Sequence, residues 1–187
     1  MVKRKKSYIK KINQLDTLSV HAGVKTDPLT GAVMTPIYAT STYAHDRPGE
    51  HKGYEYSRSQ NPTREVLENS IAELESGYKA FAFASGVAAQ TAVLDLLKPG
   101  DHVIAFDDLY GGTFRLFNEI KSKSSNIEFT FVDLNTNFSK EIKKNTKMIW
   151  IETPTNPLLK ITDLKRIARI ARKNKLITVC DLSLIHI

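Results

Sequence analysis

The stretch that decides the fold is Phe83-Ala84-Ser85-Gly86-Val87-Ala88-Ala89, where an apolar run meets a Ser-Gly step and a helix-like run begins. The run 80–84 predicts a strand buried on both faces, and the run 87–97 predicts a helix. The first N–H groups of a helix lack internal acceptors, and the helix dipole adds positive charge there. Ser85 is a good cap and Gly86 permits close approach, so this corner predicts an anion site, although Ser-Gly also occurs at such turns for geometry alone.

The composition is that of an ordinary globular protein, with 187 residues, 41% of them hydrophobic and 25% charged. No apolar stretch is long enough to span a bilayer, and the N-terminus has no apolar segment typical of a secretion signal. We therefore expect a cytoplasmic protein without a membrane partner. The single cysteine, Cys180, has neither a disulfide partner nor a metal-binding motif around it, so we predict an apolar filler in a strand and no metal site.

The positive charge is concentrated at the N-terminus. The formal net charge is +7, and six positive side chains lie within residues 3–11, which leaves about +1 for the rest. Neither an aromatic RNA-binding pattern nor zinc-finger spacing accompanies them. We expect a solvated tail and no nucleic-acid partner, and a non-catalytic binding protein with a basic arm is the remote alternative.

Helix and strand signals begin after an irregular N-terminal part. Residues 16–61 are interrupted by Pro and Gly, which predicts an extended arm, and Asn61 or Thr63 then caps a helix that ends at Gly77. From residue 79 onward, strands and helices alternate, which predicts an α/β fold with a mainly parallel sheet and flanking helices. The predicted strands cover residues 80–84, 102–106, 127–132, 147–151 and 176–180.

Polar groups follow four of these strands directly, at Ser85-Gly86, Asp107 to Tyr110, Glu152 to Asn156 and Asp181. In a parallel sheet the carboxyl ends of the strands form one ligand crevice, so we expect these groups to face each other. A helix N-terminus for a phosphate, the ring of Tyr110 for stacking and the carboxylate of Asp181 for a ring nitrogen suit one ligand, pyridoxal 5'-phosphate (PLP).

Four motifs of the sequence are distinctive together. They are Tyr54-Glu55-Tyr56-Ser57-Arg58-Ser59-Gln60-Asn61-Pro62-Thr63-Arg64, Ala84-Ser85-Gly86-Val87-Ala88-Ala89, Asp107-Asp108-Leu109-Tyr110-Gly111-Gly112-Thr113 and Glu152-Thr153-Pro154-Thr155-Asn156-Pro157. Through them the sequence resembles, from about Thr17 to Asp181, the Cys/Met-metabolism (transsulfuration) branch of the fold-type I PLP-dependent enzymes. This family includes cystathionine γ-lyase, cystathionine β-lyase, cystathionine γ-synthase and methionine γ-lyase.

The resemblance implies a role for each matched position. Tyr56 and Arg58 would reach the PLP phosphate of a neighbouring subunit, and Gly86 and Val87 would donate backbone N–H groups to the phosphate. Tyr110 would stack on the ring, and Glu152 is expected to shape its loop. The candidate cofactor-binding residues are Tyr56, Arg58, Ser85, Gly86, Val87, Tyr110, Asn156 and Asp181, and Tyr110 is also the candidate catalytic residue.

In the family that this sequence resembles, the lysine that binds PLP covalently and a smaller C-terminal domain both lie beyond the position of Asp181. We expect residues 1–62 to be a basic tail and extended dimer arm, 63–181 a partial PLP-binding large domain, and 182–187 a non-native tail read from adaptor sequence. The intact protein is expected to be a homodimer or homotetramer with cystathionine γ-lyase-like activity, and the fragment to be inactive. Cystathionine γ-synthase and methionine γ-lyase are the alternatives within the family.

Overall fold

A computed structural model describes residues 15–186, which divide into two compact units, the first ending at Ala82 and the second beginning at Phe83. The predicted basic tail lies outside the described residues. Within residues 15–186, every helix is too short or too polar to cross a lipid bilayer.

The first unit contains two helices and a small hairpin. The helices are α1, Leu15–His21, and α2, Pro62–Leu74, and the hairpin strands are β1, His45–Arg47, and β2, Glu50–His51. Asn61 caps α2, because its side chain accepts hydrogen bonds from the backbone N–H groups of Thr63 and Arg64 at 2.8 and 3.4 Å. The helix α1 was not predicted from the sequence. At seven residues it is too short to be stable alone, and it packs against α2.

The prediction of a strand over residues 80–84 is wrong. None of the described strands pairs with this segment, and a strand needs a hydrogen-bonded neighbour. Phe81 and Phe83 are 65% and 49% exposed, so the two-sided burial on which the prediction rested is also missing.

The second unit alternates helices and strands. Its helices are α3, Gly86–Leu94; α4, Gly111–Arg115, which continues through a π-helical stretch at Leu116–Lys121 into α5, Ser122–Ser124; and α6, Leu164–Lys173. Its strands are β3, His102–Phe106; β4, Glu128–Val132; β5, Thr146–Glu152; and β6, Ile177–Asp181. Short 3₁₀ turns lie at Phe138–Glu141 and Ser183–His186.

The four strands of this unit form one parallel sheet in the order β4-β3-β5-β6. Phe106 pairs with Val132, and Glu152 pairs with Asp181. The carboxyl ends of all four strands therefore lie at the same edge of the sheet. This confirms the predicted mainly parallel sheet with flanking helices.

The core of the second unit lies along the two central strands. All five residues of β3 are buried, and Trp150 on β5 meets the ring of Phe117 edge-on, with 5.0 Å between ring centroids. Continuous apolar runs suit central strands, which are covered on both faces. By contrast, β6 is the outermost of the four described strands. Cys180 lies in this strand, as predicted, but it is exposed and does not fill the core.

A buried histidine joins three strands of the sheet. His102 is fully buried on β3, and its Nδ1 and Nε2 lie 2.8 and 2.9 Å from the hydroxyls of Thr146 on β5 and Thr130 on β4. A neutral imidazole satisfies both hydroxyls by donating to one and accepting from the other. Desolvation lowers the pKa of His102 below its ordinary value, so the folded state favours the neutral ring.

We expect the stability of the chain to fall as the pH drops below about 6.5, the ordinary pKa of histidine. The unfolded chain then binds a proton at His102 that the folded chain resists, and this costs up to about 1.4 kcal/mol per pH unit. Urea unfolding between pH 7.5 and 5 measures the slope, which His102→Gln should reduce. Thr130→Val is the control, because it removes one hydrogen bond but keeps the titrating ring. An equal pH slope in His102→Gln and the unmodified chain would contradict this expectation.

Candidate functional site

A cleft of about 420 Å³ opens at the carboxyl ends of β5 and β6, beside the N-terminus of α3. Every residue that lines it belongs to the second unit. The lining residues are Ser85, Gly86, Val87, Gln90, Tyr110, Glu152, Asn156, Asp181, Ser183 and Leu184.

The N-terminus of α3 presents backbone donors to this cleft. Ser85 is extended, its hydroxyl oxygen accepts from the N–H of Ala88 at 3.1 Å, and its carbonyl accepts from the N–H of Ala89 at 3.1 Å. The N–H groups of Gly86 and Val87 come before Ala88 in the first turn, where a helix offers no internal acceptors, so they point outward from the helix end. A Cβ at Gly86 would meet no atom within 4 Å, so the space beside this backbone is open to a ligand.

Tyr110 supplies an aromatic face at the start of α4. It follows β3, and the residue is 48% exposed. Gly112, on the first turn of α4, lies directly against the Tyr110 ring, where a Cβ would overlap the ring atoms. The second glycine of the Gly111-Gly112 pair therefore makes room for the tyrosine ring.

Glu152 holds two loops of the site together. Its carboxylate is buried and accepts hydrogen bonds from the N–H of Tyr110 at 3.1 Å and from the N–H of Asn156 at 3.0 Å. Burial raises the pKa of Glu152, the N–H of Tyr110 opposes this shift, and the charge of Asp181 adds to it. These bonds fit the loop-shaping role that we expected for Glu152.

Asp181 ends β6 with both carboxylate oxygens in hydrogen bonds. Oδ2 accepts from the side-chain amide of Gln90 at 3.0 Å, and Oδ1 accepts from the N–H and the hydroxyl of Ser183 at 2.9 and 2.6 Å. The same amide of Gln90 donates to the hydroxyl oxygen of Thr113 at 2.9 Å. An ionised carboxylate accepts several hydrogen bonds, so these contacts leave capacity for a ligand donor.

Of the eight predicted site residues, the structure brings six to the cleft: Ser85, Gly86, Val87, Tyr110, Asn156 and Asp181. Tyr56 and Arg58 belong to the first unit, where the guanidinium of Arg58 lies 4.8 Å from the centroid of the Tyr56 ring. Their assignment to the phosphate of a neighbouring subunit stays a prediction.

Sequence reasoning missed three residues of the cleft, Gln90, Ser183 and Leu184. Gln90 sits among alanines and apolar residues in α3, and its polar side chain in that run was the one available signal. Ser183 and Leu184 fall in the segment that we expected to be a non-native tail.

The chemistry of the cleft fits PLP. Free backbone donors at a helix N-terminus suit its phosphate, the ring of Tyr110 suits its flat pyridine, and the carboxylate of Asp181 suits a protonated ring nitrogen. Together, the parallel sheet and this donor set define an α/β protein with a site for a phosphorylated aromatic cofactor at the strand ends.

Comparison with known proteins assigns the chain to one family. Residues 16–185 match the model of the Cys/Met metabolism PLP-dependent enzymes, and the chain belongs to this family. It is 54% identical over 173 residues to a cystathionine beta-lyase of Coxiella burnetii, covering 91% of this chain and 45% of the relative. It is 52% identical over 167 residues to a cystathionine gamma-lyase of Bacillus subtilis, covering 88% of this chain and 44% of the relative. The chain thus spans about half the length of these relatives.

Solved structures agree with this assignment. The crystal structure of metB from Corynebacterium glutamicum superimposes with a TM-score of 0.86 at 42% identity, covering 91% of this chain and 45% of that one. Cystathionine gamma-lyase from Lactobacillus plantarum, solved with L-serine, gives a TM-score of 0.85 at 44% identity, with coverage of 90% and 44%. These likenesses confirm the predicted fold-type I architecture and the PLP dependence of the family.

We expect Gly112→Ala to weaken PLP binding to the chain by about twofold to tenfold, the range that one aromatic contact contributes. The new methyl group would displace the Tyr110 ring from its place beside the cleft. Fluorescence titration with PLP measures the dissociation constant.

The matched control is Gly111→Ala, whose Cβ would meet only the end of the flexible Arg115 side chain, at 3.3 Å. This variant should bind PLP as the unmodified chain does. Equal affinities for both alanine variants would show that the position of the Tyr110 ring does not matter for the cofactor.

Proposed function

We propose that the intact protein is a PLP-dependent enzyme that breaks a carbon–sulfur bond in cystathionine or a closely related amino acid. The observation that carries this proposal is the convergence of the α3 N-terminus, Tyr110 and Asp181 on one cleft. The relatives support the substrate class, since proteins 46% to 54% identical to this chain are named for lyases or synthases of cystathionine.

In this proposal different residues of the cleft bind different parts of the cofactor. The N–H groups of Gly86 and Val87 and the hydroxyl of Ser85 hold the phosphate, and Tyr110 covers one face of the ring. Asp181 keeps the ring nitrogen protonated, since a carboxylate stabilises the positive charge there. When bound, PLP draws electrons away from the bonds at the Cα of the substrate amino acid.

The names of the relatives cover both β and γ cleavage of cystathionine as well as its synthesis. Our γ-lyase prediction rests on the segment Asp107-Asp108-Leu109-Tyr110-Gly111-Gly112-Thr113 and stays a prediction, as does a cytoplasmic location. Similarity to these relatives supports chemistry at a carbon–sulfur bond. The products of the reaction would show which carbon–sulfur bond is cleaved or formed. With uptake of one water, cleavage at Cγ of cystathionine yields 2-oxobutanoate, ammonia and cysteine, and cleavage at Cβ yields pyruvate, ammonia and homocysteine. A synthase instead forms cystathionine.

We expect the intact protein to release a 2-oxo acid from cystathionine, and Asp181→Asn to lower kcat/KM by about 100-fold or more because a neutral amide does not hold a proton on the ring nitrogen. A dehydrogenase-coupled assay with chromatography of the products measures both. The control is Asp163→Asn. Asp163 caps α6 away from the cleft, and asparagine caps a helix equally well. Absence of 2-oxo acid release from cystathionine would overturn the proposal, and cystathionine formation in its place would identify a synthase.

We further propose that the intact protein is a homodimer or homotetramer in which Arg58 of one subunit binds the PLP phosphate of its neighbour. Arginine suits this role because its planar guanidinium binds phosphate through two parallel hydrogen bonds. The guanidinium lies over the ring of Tyr56, a contact that orients it.

This arrangement predicts complementation between two defective variants, Arg58→Ala and Asp181→Asn. In a mixed dimer, the subunit with an intact Asp181 receives an intact Arg58 from its partner. Random mixing after co-refolding should therefore restore about a quarter of the wild-type activity, while each variant alone stays nearly inactive. Activity that stays at the level of the two parents would show that Arg58 acts within its own chain.

A further inference from the structure

Gln90 links the N-terminal part of α3, which would hold the phosphate of PLP, to Asp181, which would bind the ring nitrogen. It is on α3, just over one turn beyond Gly86, and its amide reaches Asp181 at the end of β6. The residue is 7% exposed and lines the cleft. Its Nε2 donates to Oδ2 of Asp181 at 3.0 Å and to Oγ1 of Thr113 at 2.9 Å.

These two bonds fix the orientation of the amide. If the amide were reversed, its carbonyl oxygen would face the carboxylate of Asp181, and two acceptors would be in contact. In the observed orientation, Oε1 of Gln90 is buried and finds no hydrogen-bond partner among residues 15–186. A buried acceptor without a partner costs free energy, and an apolar side chain of equal length would avoid that cost. The favourable contacts of this amide are therefore the two that Nε2 donates, to Asp181 and Thr113.

We propose that Gln90 is a positioning residue that holds the carboxylate of Asp181 in the orientation that binds the ring nitrogen of PLP. This inference rests on the proposed cofactor site. Among residues 15–186, Asp181 ends the outermost strand of the sheet, β6, which pairs with β5. Gln90 fixes Oδ2 from α3, and Thr113 on α4 in turn fixes Gln90, so two helices determine where the carboxylate lies.

The experiment compares Gln90→Met with the unmodified 187-residue chain, using PLP labelled with ¹⁵N in its ring. Methionine keeps the length of the side chain and removes both the donors and the unpaired acceptor. We expect the dissociation constant for PLP to rise about tenfold, as for the loss of a hydrogen bond to a charged group. The ¹⁵N shift of bound PLP should move toward that of an unprotonated pyridine. The melting temperature without PLP should stay equal or rise.

Two further variants separate positioning from a general effect on α3. Gln90→Glu keeps the shape of the side chain but, when ionised, offers no donor to Asp181 and repels it, so it should also weaken PLP binding and move the ¹⁵N shift. Thr91→Val removes a hydroxyl that donates to the carbonyl of Val87 within the same helix, and it should leave PLP affinity and the ¹⁵N shift unchanged.

The outcomes distinguish this inference from the proposed function. If the unmodified chain binds PLP and Gln90→Met binds it with equal affinity and an unchanged ¹⁵N shift, Gln90 has no positioning role and the cofactor site stands. If Gln90→Met and Gln90→Glu both melt at much lower temperature while PLP-bound shifts stay unchanged, the role of Gln90 is structural and the inference is overturned. If the unmodified chain does not bind PLP, the cofactor site itself fails, and the role of Gln90 fails with it.

Discussion

The site depends on the hydrogen bonds that the buried carboxylate of Glu152 accepts. Through them, the loop after β3 is joined to the loop after β5, because the N–H of Tyr110 and the N–H of Asn156 meet the same carboxylate. Glu152 is also paired in register with Asp181 on the neighbouring strand. One side chain therefore fixes the backbone on both sides of the cleft. Without these bonds, two backbone donors would be left unpaired in a partly buried place, which costs about 1–3 kcal/mol each.

This arrangement has an electrostatic cost. Glu152 and Asp181 are carboxylates on adjacent strands, and both the burial of Glu152 and the charge of Asp181 raise the pKa of Glu152. The backbone donors oppose this by stabilising the ionised form. Asp181 is stabilised differently, by the side-chain amide of Gln90. The protein thus keeps two acidic groups at one edge of the sheet because each has its own set of donors.

Much of the fold can be predicted from the sequence because the central strands are continuous apolar runs and their ends are marked by polar residues. The runs of β3 and β5 are buried on both faces, so their composition alone indicates their place. The rule for parallel sheets then brings Tyr110, Asn156 and Asp181 to one cleft. The segment 80–84 has the same composition as a buried strand, but pairing depends on a neighbour that composition does not reveal. Gln90 was missed for a related reason, since its polar side chain in an apolar helix does not indicate a partner 91 positions away.

In the family motifs, some residues face the cleft and others position neighbouring backbone or side chains. Asp108 is buried and accepts hydrogen bonds from the hydroxyl of Thr155 and from the N–H of Leu158 at 3.1 Å, so the motif after β3 is bonded to the motif after β5. Gly112 makes room for the ring of Tyr110. A substitution at either position would alter the shape of the cleft without removing a group that touches a ligand. The loop after β3 and the loop after β5 therefore constrain each other's backbone, so the shape of the cleft depends on both segments together.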